Sequence, residues 1–321
     1  MTSLACRPYR PGLQELGAGV WAWLQPDGSW GWSNAGLVTD AGEALLVDTL
    51  FDYRLTRAML DAMRAATPAA ARIGTVVNTH SNGDHCYGNA LLEGAEIVAT
   101  RAAAEEMARE SPAVIAEFVR RAPELGPLGA YVRHCFGAFR FDEVAPRLPT
   151  RTFEGALTLH VGARAVELIQ VGPAHTAGDL LVHLPDAGLV FTGDILFVEG
   201  TPIVWAGPVR RWIDACDRIL ALAPALVVPG HGPISDRRGV EAVRAYLGYV
   251  RDEARKRFDA GLTVRDAAFD IALGDYESWG DAERIAVNVA TCYREFAGDP
   301  GPANVVELFA LMSELWHARR R

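Results

Sequence analysis

The segment TVVNTHSNGDHCYGN, residues 75–89, determines how the rest of this chain is interpreted. An apolar run at residues 73–77 predicts a buried strand, which stops abruptly at polar and glycine-rich residues. Imidazole and carboxylate groups in the loop that follows are ligands that zinc prefers. The segment therefore predicts a metal site, with an ordinary polar loop as the alternative. The candidate ligands are His80, Asn82, Asp84 and His85.

Three further apolar runs end in residues of the same kind. The second run leads into GPAHTAGD, the third into TGD and the fourth into PGHGP. If the four runs share one sheet, their carboxyl ends converge on one edge, and we expect the side chains there to meet. The additional candidates are His175 after residues 167–171, Asp194 after residues 189–192 and His231 after residues 226–228.

The ordered motifs HSNGDH, AHTAGD, TGD and PGHG resemble those of the metallo-β-lactamase superfamily of metal-dependent hydrolases. The similarity extends over residues 17–236. One position departs from the usual His-x-His-x-Asp-His motif, because Asn82 stands where the superfamily has its second histidine. The resemblance implies an α/β fold, the αββα sandwich of two mixed β-sheets flanked by helices.

The resemblance also implies how the candidate ligands are shared between metal ions. An amide oxygen is a weaker donor to zinc than imidazole, so the position of Asn82 leaves one or two zinc ions per chain open, with iron less favoured. Asp84 would orient the attacking water or carry its proton. One ion would be held by His80, His175 and Asn82, and the other by Asp84, His85 and His231, with Asp194 between them.

A second group of residues is expected around the metal ligands. Asp48 ends the strand-like residues 43–48, where the resemblance implies a hydrogen bond to a ligand histidine; a simple turn aspartate is the alternative. Residues 20–38 predict a hairpin with its turn at residues 26–29. The resemblance suggests that this hairpin is a flap over the metal. The candidate substrate contacts, with core packing as the alternative, are Trp30, Trp32 and Trp205.

The remaining segments predict helices. Residues 1–236 are expected to form the metallo-β-lactamase-like domain, with a helical insertion of one or two helices near 101–149. Residues 237–321 are expected to be a helical extension that packs on the core or on a second subunit, which leaves a homo-oligomer open. Helices are predicted at residues 53–66, 240–260, 264–273, 281–296 and 303–319.

The composition indicates which classes of partner and which cellular compartment to expect. The formal net charge of −9 on 321 residues argues against a nucleic-acid partner, which favours clustered basic residues. Uninterrupted apolar segments are too short for a membrane span. The first residues lack the apolar core of a secretory signal, and the five cysteines are odd in number and widely spaced. We therefore expect a cytoplasmic protein that acts on a small molecule.

These observations predict a zinc-dependent hydrolase that uses metal-activated water. The expected substrate is small and partly apolar, and it carries an activated ester, thioester, lactone or amide bond. Two alternatives remain open from the sequence: an iron-dependent oxidoreductase of the same fold, and a metal-poor binding protein without catalytic activity.

Overall fold

The computed structural model describes residues 3–299, 301 and 304–320, which form two mixed β-sheets packed face to face with helices outside them. The first sheet contains, in spatial order, β1 (Gly12–Gly17), β2 (Val20–Leu24), β3 (Ala35–Asp40), β4 (Glu43–Val47), β5 (Thr75–Val77), β6 (Glu96–Thr100) and β7 (Arg151–Phe153). The second contains β8 (Ala156–Val161), β9 (Arg164–Gln170), β10 (Leu180–Leu184), β11 (Leu189–Phe197) and β12 (Leu226–His231).

Parallel pairing occurs in both sheets. Strands β4 to β7 run parallel to one another, and β11 pairs in parallel with β12, whereas the other neighbouring strands are antiparallel. The condition that the four motif-bearing runs share one sheet is not met, because β5 lies in the first sheet and β9, β11 and β12 lie in the second. The motifs nevertheless meet, since the two sheets place them at the same edge of the sandwich.

Ten α-helices are assigned within the described residues. They are α1 (Tyr53–Ala66), α2 (Gly83–Cys86), α3 (Arg101–Met107), α4 (Pro112–Arg121), α5 (Gly126–Phe136), α6 (Val209–Leu222), α7 (Arg237–Asp259), α8 (Val264–Asp270), α9 (Ile285–Ala297) and α10 (Val305–Arg319). None of the helices in the described part of the chain is long and apolar enough to cross a membrane.

Helix α1 spans the residues that were predicted for it, 53–66, and its local sequence explains where it begins and ends. The carboxylate of Asp52 accepts a hydrogen bond from the Leu55 N–H at 2.7 Å and caps the first turn. Apolar side chains at helical spacing are buried against the sheet, among them Met59 and Met63. The helix ends before Thr67, which is extended and precedes a proline.

The core consists of two apolar layers. Between the sheets, alternate residues of facing strands meet, such as Leu45 and Val77 from the first sheet and Leu168 and Phe191 from the second. A larger cluster lies between the outer faces of the sheets and the helices. The four-layer arrangement confirms the αββα fold that the resemblance implied.

The helical segments differ from the prediction in detail. The insertion near 101–149 contains three α-helices, α3 to α5, instead of one or two. The segment predicted as a helix at 281–296 begins instead with a turn, because Asp281 has a left-handed backbone (φ 57°), and α9 starts at Ile285. Ala303, the predicted start of the last helix, lies outside the described residues. The division of the chain at residue 236 stays a prediction.

Candidate metal centre

The candidate ligands come from both sheets. After β5, His80 and Asn82 lie in a loop as predicted, but Asp84 and His85 lie on the short helix α2. Asp194 lies within β11 and His231 is the last residue of β12. The prediction that these two residues follow their strands was wrong, because the strands continue past the apolar runs through an irregular pairing at Gly193.

Four imidazole rings and two carboxylates meet at this edge. His85 Nε2 lies 3.1 Å from Asp194 Oδ1, and His231 Nε2 lies 3.3 Å from Asp84 Oδ2. Asp194 Oδ2 lies 3.7 Å from His80 Nε2, 3.4 Å from His175 Nε2 and 3.5 Å from His231 Nε2. Two groups have ligand atoms within 4.8 Å of one another: His80, His85 and Asp194, and Asp84, His85 and His231.

Each of the four rings has Nε2 in the centre and makes a hydrogen bond through its second nitrogen, Nδ1. The oxygens of Asp48, Ile203 and Gly28 can only accept, and the Thr79 hydroxyl already donates to Asp48 at 2.7 Å. Every Nδ1 is therefore a donor, and a neutral ring keeps its lone pair at Nε2, inside the centre. The Nδ1 contacts are His80 to Thr79 Oγ1 at 3.0 Å, His85 to Asp48 Oδ2 at 2.9 Å, His175 to the Ile203 carbonyl at 2.7 Å and His231 to the Gly28 carbonyl at 3.0 Å.

Asp48 supports two of the histidines. Its carboxylate accepts from His85 Nδ1, from the Thr79 N–H at 2.7 Å and from the Thr79 hydroxyl, which in turn accepts from His80. The backbone of Asp48 is left-handed (φ 62°), an unusual conformation for a residue other than glycine. The contact with a candidate ligand histidine is the one expected for Asp48. The linking residue Thr79 was missed, since an isolated threonine carries no sequence signal.

The mixture of charges sets the protonation of the rings. Burial disfavours the imidazolium of His231, but Asp194 and Asp84 outweigh burial and raise the pKa to about 9. Burial likewise opposes charge on His85, while Asp194 and Asp48 raise its pKa well above the usual value. Burial dominates at His80 and His175, where it lowers the pKa. In the metal-free protein the carboxylates therefore favour a charge on His85 and His231, and burial disfavours a charge on His80 and His175.

The centre has the properties of a site for a divalent cation. His80 Nε2, His85 Nε2 and Asp194 Oδ1 are buried and find no hydrogen-bond partner among the described residues. Buried polar atoms in a native protein are almost always satisfied. A cluster of imidazole nitrogens and carboxylate oxygens is the donor set that suits zinc and related ions. These residues therefore fit a metal.

Asn82 lies beside the centre. Its amide oxygen Oδ1 is 2.7 Å from His175 Nε2. Because the Ile203 carbonyl accepts from Nδ1 of His175, a neutral ring presents a lone pair at Nε2, and a half-turn of the Asn82 amide, which exchanges its O and NH₂ groups, would place a donor there. Direct ligation of a metal by Asn82 stays a prediction.

Two of the three candidate tryptophans are joined by one phenylalanine. The ring centroids of Trp30 and Phe309 are 5.6 Å apart, and Trp205 stacks on Phe309 with centroids 6.3 Å apart. The backbone N–H of Trp205 donates to the backbone carbonyl of His175 at 3.2 Å, which places this residue next to the centre. Trp32 instead packs on Phe139, in the insertion, with centroids 4.9 Å apart.

The predicted hairpin is present, but its loop is longer than a four-residue turn. Strands β2 and β3 pair in an antiparallel manner, and residues 25–34 connect them. Within the loop, Ser33 Oγ donates to the Asp84 carbonyl at 2.6 Å, and the amide of Asn34 donates to the carbonyls of Pro229 and Gly232. Neither residue was predicted, because serine and asparagine are ordinary in loops.

The first glycine of the PGHG motif, Gly230, is required for steric reasons. A Cβ atom at Gly230 would lie 1.9 Å from Asp194 Oδ1, far inside van der Waals contact. Only glycine lets β12 pass this close to the carboxylate. Gly230 is therefore a packing requirement of the centre.

Comparison with known proteins agrees with the fold. The sequence model of the metallo-beta-lactamase superfamily matches residues 28–231. The bovine (Bos taurus) acyl-coenzyme A thioesterase MBLAC2 is 26% identical over 237 residues, which cover 68% of this chain and 80% of that protein. The hydroxyacylglutathione hydrolase of Rhodobacter capsulatus is 30% identical over 164 residues, 43% of this chain and 60% of the relative.

Solved structures show the same fold at low identity. The inverting sec-alkylsulfatase Pisa1 from Pseudomonas sp. superposes with a TM-score of 0.70 at 19% identity over 92% of this chain. This chain spans about half of the alkylsulfatase, 52% of its length. A metallo-beta-lactamase from Pontibacter korlensis has a TM-score of 0.56 at 18% identity, covering 74% of this chain and 99% of that one. With the sequence match over residues 28–231, the chain belongs to the metallo-β-lactamase superfamily, and it is a hydrolase of that fold.

Proposed function

We propose that this chain is a zinc-dependent hydrolase of a small, partly apolar acyl thioester. The observation that carries the proposal is the convergence of four Nε2 atoms and two carboxylates, with three buried atoms that find no partner in the described part of the chain. Nitrogen and oxygen donors in this combination favour zinc over the softer metals that prefer sulfur ligands.

The residues that would hold the metal form two sets, and Asp194 lies between them. A zinc ion held here would supply a water of lowered pKa, about 7, and would polarise the carbonyl group of the substrate. The chain's own part is to hold the imidazole nitrogens in place, which the Nδ1 hydrogen bonds do. The proposed ligands are His80, His175 and Asp194 on one side and Asp84, His85 and His231 on the other, with Asn82 beside the first set.

Asp84 is the proposed catalytic residue. Its side chain is 13% exposed, whereas the side chains of the four histidines and of Asp194 are at most 4% exposed, so Asp84 is the most accessible of the six. Burial alone would raise its pKa, but His85 and His231 lower it, and the group is an anion at neutral pH. In the proposed reaction its Oδ2 orients the attacking water and takes the proton that the water loses.

The aromatic residues favour an apolar acyl group. Trp30, Trp205 and Phe309 form one aromatic surface beside His175, and we propose that it contacts the acyl chain. Aromatic faces suit an alkyl or aryl group and offer little to an anionic one.

The thioester is the favoured bond because of the two curated relatives. One is named an acyl-coenzyme A thioesterase and the other a hydroxyacylglutathione hydrolase, and in both names an acyl group is carried by a thiol. The ester, lactone and amide bonds that the motifs also allow rank behind it.

The proposal is tested by loading the purified protein with zinc and measuring hydrolysis of acyl-coenzyme A thioesters of increasing chain length. Esters, lactones and amides are run beside them, and Asp84→Asn is the matched variant. We expect thioester hydrolysis in the wild type and a loss of about a hundredfold in Asp84→Asn, the scale of one proton-transfer group. A folded, zinc-loaded wild type that cleaves none of these bonds would overturn the proposal.

A further inference from the structure

Three consecutive residues of the loop 25–34 connect His231 to the C-terminal region. The Gly28 carbonyl accepts from His231 Nδ1 at 3.0 Å. The next residue, Ser29, donates from Oγ to Asp281 Oδ1 at 2.7 Å. The ring of Trp30 lies 4.5 Å from the guanidinium carbon of Arg284. The loop is therefore held on one side by the candidate metal ligand His231 and on the other by Asp281 and Arg284, which follow that ligand by 50 and 53 positions.

The two C-terminal residues form a buried ion pair. Arg284 Nη2 lies 3.0 Å from Asp281 Oδ2, and their side chains are only 2% and 8% exposed. Arg284 also donates to the Thr201 carbonyl at 3.0 Å. The turn itself is fixed by a backbone hydrogen bond from the Thr201 N–H to the Gly280 carbonyl at 2.8 Å. Residues 281–284 thus form a rigid anchor for the loop.

A second route leads from the same turn to the same histidine. The guanidinium carbon of Arg284 lies 5.3 Å from the centroid of the Phe197 ring. Phe197 in turn stacks on the imidazole of His231, with centroids 5.0 Å apart and planes 3° apart. Hydrogen bonds through Ser29 and packing through Phe197 therefore both restrain the orientation of one ring.

We propose that the turn 281–284 positions His231 for metal binding, with Ser29, Asp281 and Arg284 as positioning residues. The inference rests on the proposed function, since it needs His231 to bind a metal. The Gly28 carbonyl fixes the tautomer of His231 and aims Nε2 at the centre, and partners of this kind affect metal affinity strongly. The C-terminal region then acts on the metal site although it contributes no ligand in the proposed centre.

The test measures metal affinity, by competition with a chelator, in the wild type and in Ser29→Ala. The Ser29→Ala substitution removes one hydroxyl and keeps the Asp281–Arg284 pair. Ser278→Ala is the matched control, because the Ser278 hydroxyl is exposed and, among the described residues, bonds only to the Asp275 carbonyl. We expect the affinity of one ion to fall about tenfold in Ser29→Ala, the lower end of the range for residues behind a metal ligand.

Two further measurements separate positioning from a general loss of stability. Ser29→Thr keeps the hydroxyl and is expected to retain the affinity of the wild type. The visible absorption of Co²⁺ in the site, which reports ligand geometry, is expected to change in Ser29→Ala and to stay the same in Ser278→Ala. Asp281→Asn leaves the buried Arg284 cation without its carboxylate, so its thermal stability is expected to fall as well.

The outcomes distinguish this inference from the proposed function. A wild type that binds no metal overturns both. A wild type that binds metal, beside a folded Ser29→Ala with the same affinity and the same Co²⁺ spectrum, overturns the positioning role alone. Weaker binding in Ser29→Ala that Ser29→Thr restores supports it.

Discussion

Asp48 holds His85 by a hydrogen bond of 2.9 Å between Oδ2 and Nδ1, and the same carboxylate reaches His80 through the hydroxyl of Thr79. One buried carboxylate thus sets the orientation of two candidate ligands, both of which follow β5 of the first sheet. The arrangement explains why Asp48 keeps a left-handed backbone, because three donated hydrogen bonds hold it there.

Asp48→Asn is expected to lower metal affinity by about tenfold to a hundredfold. The amide of the variant accepts with one oxygen only, and its NH₂ group faces donors on Thr79. Asp61→Asn is the control, since Asp61 lies exposed on α1 and its one salt bridge within the described part of the chain is to Arg64. Chelator competition checks the prediction, and equal affinities in the two variants would contradict it.

Gly230→Ala is expected to displace the carboxylate of Asp194 and to abolish binding of at least one metal ion, because the added Cβ would lie 1.9 Å from Oδ1. Gly248→Ala is the control. Gly248 lies within α7, where an added Cβ meets no atom within 4 Å, so alanine is expected to stabilise the fold slightly. Elemental analysis gives the metal content, and a Gly230→Ala protein that retains a full complement of metal would contradict the steric account.

Trp205→Ala is expected to raise KM for long-chain acyl thioesters by about tenfold, the scale of one lost aromatic contact, while KM for the acetyl thioester changes little. Trp32→Ala is the comparison, because Trp32 packs on Phe139 and not on Phe309. Steady-state kinetics over a series of chain lengths checks this. A rise in KM that is the same for every acyl chain length would mean that Trp205 contributes only to packing.

Asp179 gives a pH dependence of stability in the metal-free protein. Burial raises its pKa to about 8, although the N–H and hydroxyl of Thr176 donate to it and lower the pKa. The folded protein then retains a proton that the unfolded chain releases at much lower pH, so the free energy of unfolding falls as pH rises towards 8. Urea denaturation from pH 5 to 8 is expected to show this decline, and Asp179→Asn is expected to reduce it. Parallel curves for the two proteins would contradict the assignment.

The sequence predicted the parts of the site that depend on local patterns. Apolar runs followed by polar motifs located the six histidines and aspartates that meet at the sheet edge, and helical periodicity gave α1. The position of Asp194 within a strand was missed, since a strand that continues through a glycine carries no clear pattern.

The contacts that hold the candidate ligand histidines could not be predicted from the sequence, for a physical reason. The carbonyls of Gly28 and Ile203 hold two histidines, and every residue has a carbonyl, so side-chain identity says nothing about this role. The turn 281–284 lies about 50 residues after the last motif, and only the folded chain brings Asp281 to Ser29.

The most direct test of the account is the zinc content of wild-type protein, His231→Ala and His160→Ala after zinc loading and removal of excess metal. His231 lies in the candidate centre, whereas His160 is an exposed histidine on β8. We expect at least one zinc per chain in the wild type and in His160→Ala, and a lower content in His231→Ala. A folded wild type without zinc, or equal zinc in the two variants, would contradict the metal centre described above.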